Sequence, residues 1–193
     1  MPELDITKPI RTILAGLPAR IICSDRKGNA PYIVLVERRS NGTEDVRLYE
    51  ERELHTVFEN IPVLPDKPSA LLRVALSDLA KVEQDIRYKV DMSSYHVVRP
   101  GGICHVCLAG AVMAKSLKVP FVSAIPARLP ESDEIYALEQ LRVGELHRAL
   151  LNLDLPIPND LPKSVPVTTY ETDRDRFFDN MHTIANLLEM YGL

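Results

Sequence analysis

Tryptophan is absent from this chain, cysteine occurs three times, and glycine fills only eight of 193 positions. Each shortage excludes something. Three cysteines, an odd number in a chain of this length, do not make the disulfide framework of a small secreted domain. Seven Tyr and four Phe, not interleaved with basic residues, give no stacking platform for a nucleic-acid strand. A formal charge of −4 argues the same way, so no nucleic-acid partner is expected. Charges or prolines break every apolar run before membrane-spanning length, so no membrane partner is expected either. The opening residues lack the basic region and apolar core of a signal peptide, and a cytoplasmic protein is the expectation. The glycines are wrongly spaced for a phosphate-cradling loop or a dinucleotide fingerprint. No cofactor is called for.

What is there reads as an ordinary globular chain, 46% hydrophobic and 26% charged. Charge is uneven along it. Residues 61–118 carry eight Lys/Arg against five Asp/Glu, whereas residues 119–193 carry six against twelve. A mildly basic middle suits a small anionic molecule or an acidic partner; solvated helix faces are the plainer explanation.

Residues 1–19 hold three prolines and fit either an arm or a first helical turn. A β section follows, with strands predicted over 20–24 and 31–37, and Asn41-Gly42 supplying the positive-φ pair of a hairpin turn. Residues 44–49 alternate polar and apolar, as a half-buried return strand does. A short helix over 50–59 would bury Leu54, Val57 and Phe58. Pro68 suits the first turn of a helix running to about Val90, with Leu72, Ala75, Leu79, Val82 and Ile86 as its apolar stripe. Further helices are predicted over 134–142 and 145–153, with Gly144 between them. Four prolines within 154–166 mark a strap. A last helix, capped by Thr172 or Asp173, carries Phe177, Met181, Ile184, Leu188 and Tyr191 on one stripe.

The organising stretch is 98–118. Arg99-Pro100-Gly101-Gly102 is a loop by its chemistry. From Cys104 to Ala114 every residue but His105 is small or apolar, which predicts a buried central helix over about 104–118. The fold class is therefore α+β: an N-terminal antiparallel meander followed by a helical core around that helix. The domain reading is a main domain over 1–153, a strap over 154–171, and a C-terminal helix over 172–193. That helix docks on its own core or, alternatively, on a second copy in a homodimer.

A helix starting at Cys104 would place its thiol where free N–H groups and the dipole stabilise a thiolate. A nucleophile also needs a base, and His96 is the best placed of His55, His96, His105, His147 and His182. A papain-like arrangement is similar only this far, since His147 and His182 fall in predicted helices with no orienting partner. Cys104-His105-Val106-Cys107 is also half a zinc site, needing Cys23 and His96 to converge from elsewhere, or a redox pair lacking its βαβ frame. Against all these stands simple packing of two small apolar thiols. No metal site is assigned. For a ligand, the candidates are Tyr95, His96, Arg99, Gly101, Gly102, Cys104 and His105 around the glycine loop, where helix-start amides could hold an anion. Arg142 is a further candidate, unless it merely snorkels over a helix face.

Asp91-Met92-Ser93-Ser94-Tyr95-His96, the C-x-V-C-L-A-G-A run from Cys104 to Ala111 with its continuation to Ala114, and Leu138 to Gly144 together resemble uncharacterised tailed-bacteriophage proteins. They cover about a sixth of the chain. The resemblance brings no activity to any residue. It implies a phage protein working in a bacterial host cytoplasm. The functional expectation is a non-enzymatic accessory protein that binds a host protein or a small anionic metabolite, for instance in counter-defence. The alternative is a cysteine-dependent enzyme using Cys104 with His96.

Overall fold

The computed structural model describes residues 4–8, 10–12, 18–23, 32–37, 44–60, 63–119 and 133–193. The chain is α+β, and it divides between Val63 and Leu64 into two compact units.

The first unit is a five-stranded antiparallel sheet with one short helix. Its strands are β1 (Ile10–Thr12), β2 (Pro18–Cys23), β3 (Tyr32–Glu37), β4 (Glu44–Tyr49) and β5 (Phe58–Asn60), in the order β4-β3-β2-β1-β5. Helix α1 (Glu51–Val57) precedes β5, with the Glu53 carboxylate accepting the Glu50 N–H at 2.8 Å. Ile10, Val34, Val36, Leu54 and Phe58 form its small core. The expected turn at 41–42 lies outside the described residues. The strand at 44–49 is present, but its buried half is not the aliphatic one. β4 pairs Tyr49 with Tyr32, Arg47 with Val34 and Asp45 with Val36, so Tyr49 shares the face of Val34 and Val36. Its ring meets Phe58 edge-on at 5.0 Å. One large aromatic on the core side sends Val46 and Leu48 to the other face, where both are exposed. Phe58, expected on a helix, begins β5 instead, because its backbone pairs with Thr12.

Among its described residues the second unit holds five helices and a three-stranded sheet. Helix α2 (Pro68–Glu83) opens with Pro68, which loses nothing there for want of an N–H, and buries Leu71, Leu72, Ala75, Leu79 and Val82. It ends earlier than the stripe predicts. The Asp85 carboxylate accepts the Arg87 N–H at 3.1 Å, a local bond that competes with the helical ladder. Ile86 is consequently exposed, and Tyr88–Val90 form strand β6.

Two more short strands follow, β7 (His96–Val98) and β8 (Cys104–Val106). β8 lies in the middle, parallel to β6 and antiparallel to β7. The loop Arg99-Pro100-Gly101-Gly102 is therefore a hairpin turn. Gly102 N–H donates to Arg99 C=O at 3.1 Å, and Gly101 takes φ +100° as the third residue of a Pro-Gly turn demands. The predicted helix over 104–118 is corrected by this pairing: helix α3 spans only Leu108–Lys115. Three residues, with His105 between two apolar ones, are too few for periodicity to separate a strand from the first turn of a buried helix.

Helices α4 (Asp133–Arg142), α5 (Leu146–Asn152) and α6 (Arg174–Met190) complete the unit. Leu108 to Ala114 are all buried, packed against α2, α4 and the strands before them. The α6 stripe (Phe177, Met181, Ile184, Leu188) is buried in the same core, so it presents no apolar face to a second copy. Arg174 clasps Glu83 with Nε and Nη2, both at 2.7 Å, and ties the start of α6 to the end of α2. Between α5 and α6 the strap has no regular secondary structure, yet it is anchored. Val165 N–H donates to Gly144 C=O at 2.9 Å, and Leu146 N–H to Lys163 C=O at 3.0 Å.

Gly110 is where α3 meets the segment before β7. A Cβ built on it would lie 1.4 Å from the Tyr95 carbonyl oxygen. Gly110→Ala should therefore cost at least about 3 kcal/mol in urea unfolding, since a backbone oxygen cannot step aside. Gly101→Ala, whose Cβ would meet nothing within 4 Å, should cost only about 1 kcal/mol for its positive φ.

Candidate functional site

The two central thiols are the first test of chemistry. Cys104 is wholly buried in β8, opposite Val98 on β7 and Tyr88 on β6. It is a strand residue, so the helix-terminus activation expected for it is absent. Burial instead pushes its thiol pKa up to about 11. His96 pairs with Val106, which sets it diagonally from Cys104 on the same sheet face. Such diagonal neighbours stand roughly 7–8 Å apart between backbones, so only the reach of the side chains could join a nucleophile to its base. The Cys104 sulfur's own contact is with the His105 carbonyl at 4.0 Å. Burial lowers the His96 pKa.

Cys107 takes the position foreseen for Cys104. It caps α3, its sulfur accepting the Gly110 N–H at 3.4 Å. Amides and dipole favour a thiolate there, but two larger effects oppose it. Burial, and then the adjacent Glu139 carboxylate, push the thiol up to about 12. The thiol accordingly donates to Glu139 Oε1 at 3.0 Å. Neither cysteine is built as a nucleophile.

His105 points to the opposite sheet face from Cys104, as strand alternation requires. Its Nδ1 meets Asp91 Oδ2 at 3.0 Å. Asp91 also accepts the Ser93 N–H and hydroxyl and the Ser94 hydroxyl, and Arg99 reaches Ser94 Oγ at 3.3 Å. The Ser93 bonds first, and His105 next, hold the Asp91 carboxyl well below the usual carboxylate range. This network closes the 91–95 loop around its own side chains. Gly101 and Gly102 are exposed at the hairpin tip, separated from the start of α3 by the whole of β8. The anion site expected from a glycine loop meeting helix-start amides is therefore not assembled.

Arg142 is the candidate that meets a cavity. It closes α4, and its Nε and Nη2 reach Glu139 Oε2 at 3.1 and 2.9 Å. Glu139 is buried, so it is the Cys107 thiol on one oxygen and Arg142 on the other that satisfy it. Tyr95 belongs to the same cluster: burial first, then Glu139 and Cys107, raise its phenol to about 12. Arg142 also lines a cleft of about 210 Å³. The walls come from four places: Met92 after β6, Arg142 and Val143 at the end of α4, Val167, Thr169, Tyr170 and Glu171 on the strap, and Phe177 in α6. Glu171 Oε1 accepts the Met92 N–H at 3.2 Å, and the Tyr170 hydroxyl donates to Glu83 at 2.5 Å. Both side chains are thereby held at the cleft wall.

Of the sequence-derived candidates, Tyr95 gathers with Arg142, and Arg99 gathers with His105. The two groups are separate networks. Glu139, Met92, Tyr170 and Glu171 are not among those candidates. A Glu three residues before Arg142 is the visible signal for the first; nothing local marks the others, whose importance arises from the strap's path.

Among the described residues no group of three His, Cys, Asp or Glu is placed to hold a metal ion, and no helix is long and apolar enough to cross a membrane. In a Cys23→Ser background, Cys104 and Cys107 should stay unmodified by Ellman's reagent near pH 8 in the native protein. Both should react on unfolding, as their pKa values return toward about 8.5. Rapid native labelling would contradict their burial. No family model matches the chain, and no curated protein or solved structure matches it.

Proposed function

We propose that this chain is a non-enzymatic binding protein that takes a small molecule through an anionic group at Arg142. One observation carries this: Arg142 is at once fixed by a buried partner and part of a cleft wall. Its Nε–Nη2 edge is spent on Glu139, which leaves Nη1 without a hydrogen bond among the described residues. A guanidinium held this way has little rotamer freedom left to lose, and planar acceptors such as carboxylate or phosphate suit it. The elevated thiol pKa values and the His96 placement weigh against the cysteine enzyme. The resemblance to tailed-phage proteins supports an accessory role in a host cytoplasm, where sequestering a host metabolite would serve counter-defence; that part is analogy.

Calorimetric titration with inorganic phosphate, acetate and succinate tests the reading. At least one should bind the wild-type chain at millimolar concentration or better. Arg142→Ala should weaken binding at least about tenfold, the worth of one charge-assisted hydrogen bond. That variant also strands a buried Glu139 at a cost of about 3 kcal/mol or more. Val143→Trp narrows the cleft without touching the ion pair, and it should weaken binding with little loss of stability. Failure of all three anions, or binding indifferent to both variants, would remove the proposal.

A further inference from the structure

We infer that the molecule held in this cleft is zwitterionic, a free amino acid or a close analogue with its carboxylate on Arg142 and its ammonium on Glu171; this rests on the binding role proposed above. The argument begins with charge. Arg142 already has a counter-ion in Glu139, and Glu171 adds a second carboxylate on the cleft wall. The three together carry a formal charge of about −1 at neutral pH. A simple anion pairs with Arg142 alone and leaves Glu171 unmatched, whereas a zwitterion, uncharged overall, sets its carboxylate against the guanidinium and its ammonium against the extra carboxylate.

Aromatic residues stand on the strap side of the cleft beside that carboxylate. Tyr170 and Phe177 both line it, and their rings meet edge-on at 5.7 Å. The Tyr170 hydroxyl is turned to Glu83, so its polar end is already satisfied. Glu171 spends one oxygen on the Met92 N–H and keeps the other for a ligand. Of the remaining walls, Met92, Val143 and Val167 are apolar and would receive an aliphatic side chain, while the Thr169 hydroxyl is paired with that of Thr172. At about 210 Å³ the cleft is smaller than the roughly 300–1,000 Å³ of most small-molecule pockets, the scale of one amino acid and not of a nucleotide.

The test uses the full chain and the twenty L-amino acids, screened by thermal shift and then titrated calorimetrically. The tightest binder is compared with its N-acetyl form, which lacks the ammonium, and its amide, which lacks the carboxylate. Both blocked forms should bind at least about tenfold more weakly, one charge-assisted hydrogen bond each. Glu171→Gln, which keeps an oxygen for the Met92 N–H, should weaken the free amino acid but leave the N-acetyl form unchanged. An N-acetyl form that binds as well as the free amino acid overturns the zwitterion and leaves the anion site standing. Binding of simple anions without binding of any amino acid has the same consequence. An amide that binds equally well, or no binding by any amino acid or anion, overturns both.

Discussion

Tyr95 presents its carbonyl oxygen to the one place on α3 where no side chain projects. That contact, backbone on backbone at Gly110, sets how close the β6–β7 segment comes to the buried helix. Much else in the second unit depends on it. It brings Tyr95 toward Cys107 and Glu139, and it sets β7 for pairing with β8, whose next residue caps α3. A helix with Leu108 to Ala114 all buried has no polar surface with which to choose an orientation. Close approach at a glycine supplies the choice that amphipathicity cannot.

Two buried carboxylates appear in this interior, and both are matched. Glu139 is shared between a thiol and a guanidinium, and Asp78 between Lys81 and the Ser116 hydroxyl. Neither arrangement is obviously stabilising, because removing two charges from water costs much of what their attraction returns. Their effect is on specificity. Only one placement of α4 against the start of α3 satisfies Glu139, and only one placement of α3's end against α2 satisfies Asp78. For Arg142 the outcome is a guanidinium whose position follows from the core.

Much of this was legible from residue order. Pro68 opens a helix, Gly144 breaks one, Asp173 caps one, and the Phe177 to Leu188 stripe goes inside, all through local rules of geometry and periodicity. The failures share a physical cause. At 104–106 one histidine between two apolar residues is too short a pattern to choose, and only the pairing with β6 and β7, residues outside that stretch, decides for a strand. At β4 the choice between burying Val46 with Leu48 or Tyr49 depends on Phe58 across the sheet. At Ile86 a single carboxylate two residues from an amide outweighs one more turn of helix. The candidate site was half readable for the same reason. Arg142 could be named, but the cleft requires the strap to pass beside it, and no local signal records that path.

The strap's own attachment has a consequence for how such a cleft would behave. It is pinned at Gly144 and Leu146 by backbone bonds, and Gly144 tolerates this only because its φ of +78° and missing side chain let the Val165 carbonyl come close. A wall fixed at both its backbone and its aromatic residues cannot fold inward over an incoming molecule. Occupancy would then be governed by fit to a ready-made shape, with little ordering left to offset, so arrival would be quick, and discrimination would rest on how fast a poor match departs.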